Sequence, residues 1–338
     1  MTLDHAVALS LVPELSRLGL TDRLVNADPT LLDRASAYLD AAREERRRAA
    51  REGVHPLAWN DARFPPALLT IPDAPPVLWY RGALDVLGAP AVAIVGSRAA
   101  SAVALETAVR LASDVAATGV TVVSGLARGV DSAAHRGALR TGRTVAVLGS
   151  GLRRIYPSEH EGLADEIVRR GLLLSEFPPD APPLPFRFPL RNRIISGLSR
   201  AVVVIEASDK SGSLITAGCA LEQGRDVMAV PGNVLSGRNR GGHALIRDGA
   251  TIVESADDIL RELGLAPPPS ASIGMPADGV AAASDPLLAA MEPGHVYQLD
   301  GLVALSGLDG PRLLPRLLSL ELQGQVTRLG GGRFVRPS

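Results

Sequence analysis

From Ala91 to Val230 the chain alternates two patterns. Short runs that are almost wholly apolar and often β-branched fall at about 91–96, 120–124, 143–148, 172–175, 201–206 and 226–230. Between them lie stretches with helical spacing, at about 101–117, 130–140, 158–170, 192–199 and 213–224. Strands without polar alternation are buried on both faces, so the pattern predicts an α/β fold with a mainly parallel sheet covered by helices on both sides. Ligands of such sheets gather beyond the C-terminal strand ends, and the small and polar residues of this chain cluster there.

The flanks read differently. Residues 1–54 are helical in pattern, with an apolar Ala6–Leu11 and an Ala/Leu/Glu/Arg-rich Leu31–Ala50. The basic run Arg46, Arg47, Arg48 and Arg51 adjoins Glu44 and Glu45 and is read as a solvated helix end. Short strands and prolines follow, with Trp59, Phe64, Trp79 and Tyr80 as packing aromatics. A Pro/Ala/Gly-rich linker spans 266–284, and helices near 299–305 and 310–321 precede a hairpin from Gln325 to Arg336. Helices followed by a hairpin fit a winged helix, whose second helix carries only Arg312 and Arg316 against Asp309 and Glu321. The expected division is therefore 1–54, 55–265, the linker, and 285–338.

Composition narrows the function. A net charge of −1 excludes a uniformly basic surface and leaves room for a local basic cleft. The single Cys219 rules out an internal disulfide or a cysteine-rich metal site, and no histidines stand at metal-ligand spacing, so neither metal nor cofactor is expected. The first residues do not form a basic-then-apolar leader, and no apolar run approaches membrane-spanning length. A soluble cytoplasmic protein with no membrane insertion is expected. Lys210 is the sole lysine; arginine supplies every other basic side chain, a habit read here as composition.

The candidate chemistry is phosphate binding. Gly96-Ser97-Arg98 ends the first apolar run before a helix, a geometry that offers free N–H groups to an anion. A second loop carries Ser124, Gly125 and Arg128, then Asp131 and His135, which serve either as an acid/base pair or as a helix cap and a loop anchor. PFRFPLRNR interleaves Arg187, Arg191 and Arg193 with Phe186 and Phe188, and Asn192 is read as opening a helix; guanidinium groups and rings together suit a single strand. Ser211, Gly212, Ser213 and Thr216 form another cradle at a helix start. Glu206 accepts from a sugar hydroxyl or orients an arginine, and a glycine-rich loop adds Arg238 and Arg240.

GSR after the first strand, SGLARGVDSAAH, YPSEH, LLSEFPPD, FPLRNRIISGLS, SGSLITAGCALEQGRDVMAVPG and LIRDGA together resemble the DNA-processing protein A family, also called DprA or Smf, over about residues 55–260. The resemblance implies an extended Rossmann-like fold that binds single-stranded DNA, forms a homodimer through that domain, and loads RecA onto strands coated by single-strand binding protein during natural transformation. It implies DNA contacts at Gly96, Ser97, Arg98, Ser124, Gly125, Arg128, Phe188, Arg191, Asn192, Arg193, Ser211, Gly212, Ser213 and Thr216, and no catalytic residues. The family often carries Asp where Arg153 stands, Asn where His160 stands and a basic residue where Pro185 stands; Arg187 is the candidate substitute for the last. The leading segment would be an abbreviated SAM-like domain and the last domain the family's variable winged helix. An enzyme related to the phosphoribohydrolases, with Glu206 or Asp131 as its carboxylate, is the alternative, and a protein scaffold docking through its last domain is a third reading.

Overall fold

The computed structural model describes residues 2–12, 29–266, 286–308, 310–322, 325–329 and 332–336. Two compact units divide the chain, Met1–Pro268 and Pro269–Ser338.

The first unit holds a nine-stranded sheet: β1 (His55–Ala58), β2 (Val77–Gly82), β3 (Ala91–Gly96), β4 (Thr121–Ser124), β5 (Thr144–Val147), β6 (Leu172–Ser175), β7 (Ala201–Ile205), β8 (Asp226–Ala229) and β9 (Thr251–Ile252), in the spatial order β1-β2-β6-β5-β4-β3-β7-β8-β9. Strands β3 to β9 pair in parallel, while β2 runs antiparallel to β6 and β1 antiparallel to β2. Because β-strand side chains alternate, Val92 and Ile94 of β3 face one layer and Ala93 and Val95 the other. The first layer contains the Ala102–Ala117, Val130–Thr141 and Ala256–Glu262 helices; the second contains Arg187–Gly197 and Ser213–Glu222. Every residue of β4, β5, β6 and β7 is buried, as strands covered twice must be.

The helices Leu3–Leu11 and Leu39–Ala50 build no core of their own. Their Ala6, Val7, Leu9, Ala42 and Ala49 pack into one cluster with Val77 and Trp79 of β2 and with Leu163 and Ile167 of the Glu161–Arg170 helix. The linker expected at 266–284 falls almost wholly outside the described residues.

Two departures from the sequence reading bear on the site. The helix expected to open at Asn192 starts at Arg187, with Pro189 in its first turn, where a missing N–H costs nothing. The glycine-rich stretch after Arg238 forms a helix, Arg240–Arg247, whose glycines permit close approach: Gly241 N–H donates to the Ala207 carbonyl at 2.8 Å.

In the second unit, helices Pro286–Ala290, Leu299–Ser306 and Gly310–Leu322 stand with a three-stranded sheet of β10 (Val296–Gln298), β11 (Thr327–Leu329) and β12 (Arg333–Val335). Leu302, Leu313, Leu317, Val326 and Phe334 lie at its centre. The two expected helices and hairpin are present; Pro286–Ala290 and β10 were not foreseen, being only five and three residues long.

Candidate nucleic-acid interface

The crevice lies where the sheet changes direction. From β3 the chain steps through β4, β5 and β6 on one side, whereas β7, adjacent to β3 on the other side, steps outward through β8 and β9. Loops leaving β3 and β7 therefore part and leave a gap beyond their C-terminal ends, the usual ligand position in such sheets. A cavity of about 430 Å³ occupies it. Gly96 ends β3 so close to β7 that a methyl group there would collide with the Ile205 carbonyl.

Ten of the fifteen residues expected to touch DNA line this cavity: Gly96, Ser97, Arg98, Phe188, Arg191, Asn192, Ser211, Gly212, Ser213 and Thr216. The early helix start explains the middle group. Phe188, Arg191, Asn192 and Ile195 recur at helical spacing, so one face of the Arg187–Gly197 helix presents all four. The Ser213–Glu222 helix also points its N-terminus here, with Gly212 at its cap position and no side-chain cap bond. By contrast, the helix start after Gly96-Ser97-Arg98 is occupied internally. Glu206, held at φ 48°, accepts from Ser101 N–H at 2.9 Å and from the Ser101 hydroxyl at 2.6 Å, and Ser101 in turn caps Ala104.

Arg191 forms the floor. It is 3% exposed and donates to the Gly125 carbonyl at 2.8 Å and to the Val147 carbonyl, and its Nε has no acceptor. Burial pulls its pKa down to about 10 against the attraction of Asp131. Asp131 is buried too; desolvation raises its pKa, opposed by the Arg191 charge and by the N–H groups of Ala127 and Gly125. The floor's charges are thus committed to holding one another and the neighbouring loop.

The exposed wall is Arg98 and Phe188. The Arg98 guanidinium stands 5.6 Å from the Phe188 ring centroid, and Tyr156 approaches the same ring at 5.5 Å with a 48° tilt. Gly149 makes room, since a Cβ there would lie 2.8 Å from the Phe188 ring. Lys210 stands on the cavity as a further cation. Neither Arg98 nor Lys210 has a carboxylate within ion-pair distance among the described residues. The sequence reading put the single lysine down to composition; its position within the Ser/Gly turn between Glu206 and Ser213 was the available signal.

The other five expected residues lie elsewhere. The Ser124 hydroxyl is fully buried and donates to the Ile94 carbonyl at 2.7 Å. Gly125 serves as the close contact for Arg191, whose guanidinium fills the space a side chain would need. Arg128 makes a bidentate pair with Glu159 at 2.5 and 2.7 Å. Arg193 makes another with Glu176, both bonds at 2.7 Å, and Glu176 outweighs burial in raising its pKa. Arg187 donates to the Pro182 carbonyl and lies over Phe177 at 4.7 Å, so it is engaged beside the helix start rather than standing in for a cation at Pro185.

Histidines anchor the second loop. His135 Nε2 accepts from Leu126 N–H at 3.3 Å, and its Nδ1 is bonded to the Thr144 hydroxyl at 2.7 Å. Thr144 donates onward to the Val122 carbonyl, which makes His135 Nδ1 the donor. Burial, with the Arg191 charge second, drives the His135 pKa down to about 3, so the ring stays neutral. His160 Nδ1 holds the Leu126 carbonyl at 2.9 Å, fixing that residue at φ 56°. Arg153 pairs with Glu52 and Asp180. Of the alternatives left open by sequence, His135 is the loop anchor, whereas Asp131 does not cap its helix: Gly129 holds the cap position with no side-chain cap bond, and Asp131, in the first turn, anchors the loop before it through the Gly125 and Ala127 N–H groups. The carboxylates proposed for an enzyme are both committed to backbone N–H groups. Among the described residues no group of His, Cys, Asp and Glu is arranged to hold a metal, and no helix is long and apolar enough to cross a membrane.

Known proteins supply the class. A family model for DNA recombination-mediator protein A matches residues 55–264, and one for the DprA winged helix domain matches 266–332. Protein Smf of Escherichia coli is 42% identical over 290 residues, covering 83% of this chain and 77% of that one. DNA processing protein DprA of Streptococcus pneumoniae is 47% identical over 203 residues, covering 60% and 72%. The crystal structure of DprA from the same species matches with a TM-score of 0.69 at 37% identity, over 78% of this chain and 98% of that one. A Helicobacter pylori DprA structure, determined for its single-stranded DNA binding mode, matches with a TM-score of 0.57 at 29% identity, over 62% and 95%. The molecule is thus a recombination mediator with a Rossmann-like core and a winged-helix module. The chain belongs to the DprA/Smf family of DNA-processing proteins, which bind single-stranded DNA and load RecA onto it.

Proposed function

We propose that the β3/β7 crevice is where this chain holds single-stranded DNA. The observation that carries the reading is the pairing of two uncommitted cations, Arg98 and Lys210, with the partly exposed Phe188 ring on one cavity. Arg98 and Lys210 take backbone phosphates, and Phe188 stacks on a base. Ser97, Ser211, Ser213, Asn192 and Thr216 supply neutral hydrogen-bonding groups around the strand. Arg191 is the floor beneath the strand, Ser124, Gly125 and Arg193 act behind the wall by fixing its shape, and Arg128 and Arg187 lie outside it.

Nothing in this scheme requires covalent chemistry; the protein binds the strand and hands it over. A homodimer through the Rossmann-like segment, 55–265, would set two crevices on one strand and raise the effective concentration of the second. Displacing single-strand binding protein in the cytoplasm, ahead of RecA, is the step such avidity serves. The Leu3–Leu11 and Leu39–Ala50 helices buttress the sheet edge, and the 285–338 module supplies a separate surface. Leu314 and Leu318 are exposed on its Gly310–Leu322 helix, a face suited to protein rather than to phosphates.

Equilibrium binding of labelled single-stranded and double-stranded oligonucleotides, with oligomeric state measured in parallel, tests the reading. Preference for the single strand, lost on Arg98→Ala with the fold intact, is expected. Equal binding of both forms, indifferent to Arg98, would overturn it.

A further inference from the structure

A second cavity, of about 300 Å³, lies beside the first on the other side of the Ser97–Ser101 loop. Its walls are the first turns of the Ala102–Ala117 helix, the ends of β7 and β8, and the loop Pro231–Asn239, whose glycine and arginine content marked it in the sequence. This loop is fixed at its base. Asn239 is 3% exposed, accepts from Ala207 N–H at 2.9 Å and donates to the Val230 carbonyl at 2.9 Å, while the His243 ring bonds the Gly232 backbone. The cavity therefore exists before any ligand arrives.

Its lining is mostly apolar, through Val103, Ala104, Ile205, Val230 and Pro231. The one carboxylate beside it, Glu206, is spent on the Ser101 N–H and hydroxyl, where the helix N-terminus offsets its charge. The cation at its rim is different. Arg238 donates Nη1 to the Ala99 carbonyl at 3.1 Å and has no carboxylate partner among the described residues. Ala99 also lines the β3/β7 crevice, so Arg238 bridges the two cavities.

We infer that the second cavity receives the base of a neighbouring nucleotide of the same DNA strand, with Arg238 on the phosphate between the two subsites. This rests on the reading of the β3/β7 crevice as the strand's first site. The size sits at the lower end of small-ligand cavities, roughly 300–1,000 Å³, and apolar walls with few polar groups fit the face of a heterocycle. Asn233 and Asn239 spend their side-chain oxygens on the Leu235 and Ala207 N–H groups. The subsite consequently reads the apolar face of a base with little regard to its identity, as stacking sites do.

The test uses the full chain and oligothymidylates of increasing length, unmodified and with 2-aminopurine at successive positions. Val103→Glu places a charge at the cavity mouth, where Val103 is 75% exposed and substitution leaves the core alone; Arg238→Gln removes the bridging cation. Oligomers too short to span both cavities should bind both variants and the parent equally. Longer ones should lose about tenfold in affinity with each variant, the size of one base stack. One 2-aminopurine position should lose its fluorescence change in Val103→Glu alone. Parent-like binding of both variants at every length, with Arg98→Ala still defective, would overturn the second subsite and leave the first standing. Indifference to Arg98→Ala at every length would remove the first reading and this one with it.

Discussion

Two loops of this protein look alike as sequence and differ as chemistry. Gly96-Ser97-Arg98 and Ser124-Gly125-Leu126-Ala127-Arg128 each follow a parallel strand, and each offers a small-residue turn with an arginine. In the first, Arg98 lies against Phe188 on the crevice, with no carboxylate within ion-pair distance among the described residues. In the second, Asp131 takes the Gly125 and Ala127 N–H groups, His135 and His160 take both polar groups of Leu126, and Glu159 takes Arg128. A small-residue turn after a strand marks a place where backbone approaches something closely; whether that is ligand or protein depends on who satisfies the donors.

The contrast can be broken from its closed side first. Arg191→Ala should cost about 2–5 kcal/mol of stability, because the buried Gly125 and Val147 carbonyls would each lose a charged donor and Asp131 the nearby cation that opposes its desolvation. Chemical denaturation checks this, and a midpoint close to the parent's would mean the floor is not electrostatic. On the open side, Phe188→Ala should weaken single-strand binding by about 1–3 kcal/mol, the usual loss of one stacked base. Fluorescence anisotropy with a single-stranded oligonucleotide would show it; unchanged affinity would leave the ring a packing residue only.

The His135 anchor predicts a pH effect. Its folded-state pKa of about 3 lies below the ordinary histidine value near 6.5, so the unfolded chain binds the extra proton first. Its contribution to stability is complete above about pH 6.5 and shrinks as pH falls toward 3. The melting temperature should therefore decline less steeply with acidification in His135→Gln than in the parent, and parallel declines would remove His135 from the account. The smallest effect belongs to Arg128→Ala, which breaks an exposed ion pair of little worth. Single-strand affinity should stay at the parent's value; a clear loss would show that Arg128 leaves Glu159 for the DNA.

Much of this was legible in the sequence. The strand at Ala91–Gly96 and the helices around 101–117 and 130–140 follow from unbroken apolar runs and from periodicity, both local properties. What stayed hidden depends on distant partners. Glu159 lies 31 positions from Arg128, and Glu176 lies 17 from Arg193; nothing in their own segments says that these carboxylates close on those cations. The start of the Arg187–Gly197 helix was obscured by Pro189, which reads as a breaker although it is harmless in a first turn. The packing of the N-terminal helices onto β2 was hidden for the same reason as the ion pairs, since an amphipathic helix does not name the surface it covers.

The claim at the centre is that Arg98 and Lys210 are the uncommitted charges of the crevice and meet the phosphates of a single strand. A salt titration of single-strand binding by the parent and by an Arg98→Ala, Lys210→Ala double variant tests it directly. Weaker binding and a log–log slope shallower by about 1.4, about 0.7 for each cation removed, are predicted. Two superimposable lines would contradict it.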